Sequence, residues 1–183
     1  MRAILFIDGS NFYHRLKSLT TNQGKVSLLN FDYQSFAKNL IRTDSLIEIR
    51  YYIGAIKRQS GSDKSEKLYA DQQRLFAKLQ SQNIPLILGT LLRHPDKSFH
   101  EKGVDVRLAV EMIRFARADE YDIAYLLSSD TDLVPAVEEV QSAGKEVYYV
   151  GISKGQSFGL TKVSKNTLLL RPEDIKPFLL IKK

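Results

Sequence analysis

The chain has 183 residues and a formal net charge of +6, is 43% hydrophobic, and contains no cysteine. That length suits one compact domain able to bury a core without staples. The missing thiols exclude disulfides, thiolate zinc sites and cysteine nucleophiles, and fit a reducing, cytoplasmic compartment. The apolar run at residues 3–7 is too short for a signal segment and stops at Asp8, and no stretch approaches the ~20 apolar residues of a membrane span.

In chain order, residues 3–7, 46–53, 84–88, 123–127 and 147–150 read as strands of a parallel sheet, being short, apolar on both faces and separated by helical patterns. The helical stretches are 10–19, 33–41, 64–82, 105–117 and 133–143. This alternation predicts an α/β fold of three layers, helix, sheet, helix, whose ligands bind outside the carboxyl ends of the strands. Residues 1–150 are expected to make the main α/β unit. Residues 151–183 make an extension with seven basic residues against two acidic ones, so that five of the six net positive charges lie there. It is expected to dock on the same domain through its apolar patches at 168–170 and 178–181, and a polyanionic substrate would suit it. Polar segments 57–65 and 93–102 are expected as loops.

Four aspartates fall where such a fold gathers its strand ends. In FIDGSN, Asp8 closes the first strand, Gly9 allows a sharp exit, Ser10 is placed to cap the helix and Asn11 lies in its first turn, an arrangement that also suits a plain capping turn. In KGVDVRLAVEM, Asp105 heads a stripe continued by Leu108, Ala109 and Met112, while Arg107, Glu111 and Arg114 fall on the solvent side. Asp105 must then be paired, as by Lys102, capping, bound to metal, or at the mouth of a cleft. In SSDTDLVPAVEEV, Pro135 belongs in a first helical turn, which places Asp132 at the N-cap and leaves Asp130 on the loop with no capping task.

Carboxylates gathered at one edge repel: at roughly 4 Å and an effective dielectric near 20, a like-charged pair costs about 4 kcal/mol. A raised pKa or a hard divalent cation relieves that cost. Of each tyrosine pair, Tyr51 with Tyr52 and Tyr148 with Tyr149, one member is expected in the core and its partner free to stack. The histidines, His14, His94 and His100, lack metalloprotease spacing, and His94 and His100 flank a polar loop as surface residues.

Together, FIDGSN, KGVDVRLAVEM and SSDTDLVPAVEEVQSAGKEV resemble the NYN domain, in its LabA-like branch, within the PIN-like nuclease superfamily. The resemblance runs from about Met1 to Val150. It implies a PIN-like fold with five parallel strands in the order 3-2-1-4-5 and an acidic cluster of Asp8, Asp105, Asp130 and Asp132 that binds Mg²⁺ or Mn²⁺ for RNA cleavage, leaving a 5′ phosphate and a 3′ hydroxyl. Ser10 and Asn11 would orient the scissile phosphate, Lys102 would neutralise it and Ser129 would lie beside it. Ser129 and Leu133 stand where the family often has Gly and Phe, and a Ser there could crowd the metal or phosphate.

Rivals fail on single residues. A haloacid-dehalogenase-type phosphatase needs a second Asp at the position of Ser10, and a DxSxS metal site fails at Phe12. The expected activity is therefore a metal-dependent endoribonuclease acting on single-stranded or structured RNA. The alternatives are an RNA-binding regulatory module with little turnover and a small-molecule phosphohydrolase. A homodimer would give a long substrate more surface.

Overall fold

A computed structural model describes residues 1–19, 28–56, 63–93 and 99–179. Its main sheet has six parallel strands, β1 (Arg2–Asp8), β2 (Ser45–Ile53), β3 (Leu86–Leu88), β6 (Ile123–Leu127), β7 (Glu146–Ile152) and β8 (Asn166–Leu170), in the order β3-β2-β1-β6-β7-β8. Between β3 and β6, the short strands β4 (Thr90–Arg93) and β5 (Phe99–Lys102) pair as an antiparallel ribbon. The helices are α1 (Gly9–Leu19), α2 (Tyr33–Leu40), α3 (Asp63–Ser81), α4 (Val104–Arg117), α5 (Val134–Ser142), α6 (Phe158–Val163) and α7 (Pro172–Ile175).

The three-layer α/β architecture stands, and the expected five strands become six. Asn166–Leu170 adds the extra strand to the β7 edge, with Val150 beside Leu168 and Ile152 beside Leu170. Its run of three leucines reads as an apolar patch from sequence because nothing local distinguishes a docked patch from an edge strand whose partner is already in place. The ribbon lies partly within the segment expected to be a loop. The interiors of the two polar loops, including His94, lie outside the described residues, as do the His100 and Lys102 side chains.

Each face of the sheet carries its own core. In β1, Ala3, Leu5 and Ile7 point to one side, with Phe12, Phe31, Phe36 and Leu79, while Ile4 and Phe6 point to the other, with Leu108, Met112, Val137 and Leu160. A parallel sheet covered on both faces explains why Tyr51 and Tyr52 are both fully buried, one in each core, where only one was expected. The second pair follows expectation, since Tyr149 is buried and Tyr148 is partly exposed against Tyr125.

Glu111 departs from the expected solvent stripe. Arg107 and Arg114 are exposed, but Glu111 is buried and accepts hydrogen bonds from Tyr52 Oη at 2.8 Å and Arg50 Nη2 at 2.9 Å, while Arg50 lies over the Phe115 ring. Burial pushes its pKa up, and the donors Tyr52 and Arg50 outweigh this and hold it below the usual carboxylate value. Helical periodicity cannot reveal such a partner on a strand about sixty residues earlier.

At the sheet end away from the candidate site, Arg2 holds Asp122 through both its backbone N–H and its guanidinium, at 2.7 and 2.8 Å. These bonds pull the Asp122 pKa down from 3.8 to about 2. The stabilisation is present above the ordinary carboxylate value and is lost as pH falls towards the folded value. Urea midpoints of wild type and Asp122→Asn measured from pH 5 to about pH 2 should therefore converge as the medium becomes more acid; a constant gap would contradict the ion pair's role.

Candidate active site

Parallel strands placed on either side of β1 make the chain reverse direction between β1 and β6, and a crevice at such a point is a favoured ligand site. Ile7 pairs with Leu127, so the next residues, Asp8 and Ser128, leave the sheet side by side. Asp8 is 4% exposed. Its Oδ1 accepts the Asn11 N–H at 3.0 Å and its Oδ2 accepts the Ser128 hydroxyl at 2.9 Å. The first bond is a helix cap in form, so Asp8 takes the capping task expected of Ser10, which is exposed in the first turn of α1.

Gly9 is glycine for a different reason from a sharp turn. A Cβ there would come within 2.2 Å of Tyr51 Cε1 and 2.6 Å of its Cζ. The buried Tyr51 ring thus fixes where α1 begins. Asn11 points back across the strand ends as expected, and its Oδ1 accepts the Ser129 N–H at 3.1 Å.

The roles expected for Asp130 and Asp132 are reversed. A 3₁₀ turn, Thr131–Leu133, precedes α5, so helical backbone starts three residues before Val134 and Pro135 still lies in the first turn of the α-helix. Asp130 is the N-cap of that turn, its Oδ1 accepting the Asp132 N–H at 3.0 Å, and Asp132 is exposed with no capping role there. Proline fixes where a helix can begin, but it does not show that a 3₁₀ turn is added in front.

Ser128, which the motifs did not single out, links the two loops. Its buried hydroxyl donates to Asp8 and accepts the Asp130 N–H at 3.1 Å. The available signal was register: in SSDTD the first serine directly follows a strand adjacent to β1 and so falls opposite Asp8. Ser128→Ala leaves both partners short of a bond and should cost about 1–2 kcal/mol of stability. Ser128→Thr should restore that stability if it keeps the hydroxyl in place, whereas wild-type stability of Ser128→Ala would show the link to be dispensable.

Asp105 reaches the same edge from α4. It is the second residue of that helix, behind Gly103, whose φ of 87° serves as a left-handed N-cap without a side-chain bond. Asp105 is exposed, yet the protein around it removes enough water to raise its pKa, and the charges of Asp8, Asp130 and Asp132 raise it further. Burial likewise raises the Asp8 pKa against its hydrogen bonds from Asn11 and Ser128, with Asp130 adding to the rise. Asp8, Asp130 and Asp132 thus act on Asp105, and Asp130 acts on Asp8.

The donors are hard carboxylate oxygens, which suit Mg²⁺ or Mn²⁺. Among the described residues, no three acidic or imidazole groups stand close enough to hold one ion together. Magnesium commonly binds through one or two carboxylates, several waters and substrate phosphates, so the set fits that mode rather than an all-protein cage. A groove of about 590 Å³ lined by Lys38, Arg42, Asp44 and Glu48 opens at the other end of the sheet, where β2 begins, and none of the candidate residues lines it.

A family model for the NYN domain matches residues 2–168. The chain belongs to the NYN domain family. NYN domains form a PIN-like nuclease family and are generally RNase-type hydrolases. Among solved structures, this NYN domain is similar to a protein of unknown function from Vibrio parahaemolyticus, at 18% identity and a TM-score of 0.68, over 95% of this chain and 94% of that one. At that identity the likeness shows the shared fold. An isopentenyl phosphate kinase in complex with its substrate aligns at 10% identity and a TM-score of 0.40 over 81% of this chain and 90% of that one, too weakly to bear on fold or chemistry. No curated protein matches the sequence significantly. Among the described residues, no helix of the NYN domain is long and apolar enough to cross a membrane.

Proposed function

We propose that this NYN domain is a Mg²⁺- or Mn²⁺-dependent endoribonuclease of the LabA-like branch, acting in the cytoplasm at the edge formed by Asp8, Asp105, Asp130 and Asp132. What supports it is the tie from Asp8 through Ser128 to Asp130 at the ends of β1 and β6, with the pKa values of Asp8 and Asp105 both raised, in a chain of a PIN-like nuclease family. A fold that holds negative charge together against its own repulsion is poised for a cation and a phosphate.

Asp8 and Asp130 are assigned to hold the principal ion, with Asp105 and Asp132 reaching it through water or holding a second. A bound cation would stabilise charge on the phosphate and make water a stronger nucleophile. Asn11 and Ser128 keep the supporting loops in register. The Asn11 carbonyl is committed to the Ser129 N–H, so orienting the phosphate falls to the exposed Ser10 hydroxyl and the Asn11 amide. The absence of cysteine from the sequence supports the cytoplasmic setting.

The test is cleavage of end-labelled RNA in Mn²⁺ by wild type and by Asp130→Asn. Wild type should produce fragments that carry a 5′ phosphate, and the variant should not. Equal cutting by both would remove the aspartates from the chemistry. A second reading, an RNA-binding module of the same fold, is favoured by one observation, the lack of three groups close enough to chelate one ion among the described residues. RNA binding without cleavage in either metal would select it.

A further inference from the structure

The segment after β7 returns to the aspartate edge and is tied to it. β7 runs parallel to β6, so its carboxyl end opens on the same side as Asp130. Five residues beyond β7, Ser157 is buried and serves as a hub: its N–H donates to Tyr149 Oη at 2.9 Å, its hydroxyl meets Thr131 Oγ1 at 3.2 Å, and it caps α6 through the Leu160 N–H. Tyr149 Oη also lies 3.4 Å from Ser129 Oγ, so one buried phenol joins this segment to the serine before Asp130. Gly159 closes the contact from the other side, since a Cβ there would come within 2.8 Å of Thr131 Cγ2 and 3.3 Å of Val134 Cγ2.

Phe158 stands between those two anchored residues, and it is 78% exposed. Single exposed apolar side chains are common and by themselves mean little. Here the position is what matters. The backbone on either side is fixed to the turn that carries Asp130 and Asp132, so the ring is presented to solvent from a segment anchored at that turn. Lys154 and Lys162, before and after it, are exposed as well, and the Arg15 guanidinium of α1 lies against Gly155 in the same stretch. An aromatic face flanked by cations next to a phosphate-seeking edge matches the chemistry of a single-stranded polynucleotide, whose bases stack on rings while basic side chains follow the backbone.

We propose that Phe158 is a stacking platform for an unpaired base of the RNA, next to the phosphate bound at the aspartate edge, with Lys154 and Lys162 on the neighbouring backbone. This deepens the ribonuclease proposal and rests on RNA being the substrate. It makes single-stranded RNA the preferred form, because a paired base is already stacked and cannot reach the ring.

The chain contains no tryptophan, so Phe158→Trp introduces a single reporter at the site. In metal-free buffer, a single-stranded oligoribonucleotide should quench its emission to saturation, while an abasic strand of equal length and a blunt duplex should not. Ile47→Trp, at an exposed position near the start of β2, should not respond to any of the three. Phe158→Ala should bind the single strand about tenfold more weakly, and Phe158→Tyr should restore most of that loss.

Unchanged affinity in Phe158→Ala, or equal quenching by the abasic strand, overturns the proposal. So does a change in sedimentation of Phe158→Ala without a change in RNA affinity, which would make the ring a protein contact. The two proposals fail separately. Wild-type cleavage with an unchanged KM in Phe158→Ala removes only the platform, whereas base-dependent quenching in a protein that never cuts RNA supports the platform and removes the nuclease.

Discussion

Asp8→Asn should reduce RNA cleavage by about 10³-fold and, in metal-free buffer at neutral pH, leave the protein more stable than wild type. Asp8 is buried, and burial together with the charge of Asp130 raises its pKa. A carboxylate whose folded pKa lies above its unfolded value favours the fold when protonated, and that benefit is lost as pH rises through the folded value. Asparagine removes the charge and keeps most of the connections. Its carbonyl can accept the Asn11 N–H and its amide can donate to Ser128 Oγ, which retains a lone pair for the Asp130 N–H, while the Ser128 hydroxyl proton loses its acceptor.

The expected result is a rise in Tm, reduced by the bond that the Ser128 hydroxyl loses. Mn²⁺ should reverse the order, since an ion that binds only the native state at 100 times its Kd adds about 2.7 kcal/mol. That stabilisation should appear in wild type and be absent from Asp8→Asn, with RNA cleavage by the variant reduced by about 10³-fold. Thermal melts in EDTA and in Mn²⁺ give the comparison. A variant less stable than wild type in EDTA, or an equal Mn²⁺ shift in both proteins, would count against a destabilising charge held for a cation.

Gly9→Ala should do the reverse, damaging the fold first and the chemistry as a consequence. The added methyl would meet three atoms of the Tyr51 phenol, the nearest at 2.2 Å, and Tyr51 is fully buried in the core that also holds Phe12 and Tyr33. Neither side has room to move. The ring is packed edge-on against Tyr33, and Gly9 is joined directly to Asp8 in β1. Overpacking of this kind costs about 3 kcal/mol.

Relief by displacement of α1 would also pull Asn11 away from Ser129. Urea denaturation of Gly9→Ala measures the cost, and the double variant Gly9→Ala with Tyr51→Leu tests the cause. If the ring is the obstacle, the smaller side chain should recover part of the loss, so the two changes together should cost less than their sum. Strict additivity would place the requirement for glycine elsewhere.

The parts of this site that were legible in the sequence are those that depend on local order. Asp8 and Asp130 could be placed on one edge because each directly follows a strand or nearly so, and parallel strands end on the same side. Asn11 could be aimed at the strand ends because it occupies a first helical turn. What could not be read depends on partners distant in sequence or on small changes of backbone type. Glu111 is buried because Arg50 and Tyr52 meet it from β2, and no periodicity in α4 carries that information. The exchange of roles between Asp130 and Asp132 turns on one 3₁₀ turn.

Ser128 was passed over because its importance lies in the register of β6 against β1, a property of two segments together. The sixth strand and the anchoring of Phe158 share that character. Residues 166–170 become a strand only beside β7, and α6 has a fixed place only through Tyr149 and Thr131. These links make the segment after residue 150 part of the aspartate edge's surroundings.

A divalent cation held by the four aspartates would be seen by anomalous scattering from crystals of the wild-type protein soaked in Mn²⁺. A peak bounded by the Asp8 and Asp130 carboxylates is expected, absent from crystals of Asp8→Asn. Saturating Mn²⁺ with no peak at this edge, or with a peak that survives the substitution, would contradict it.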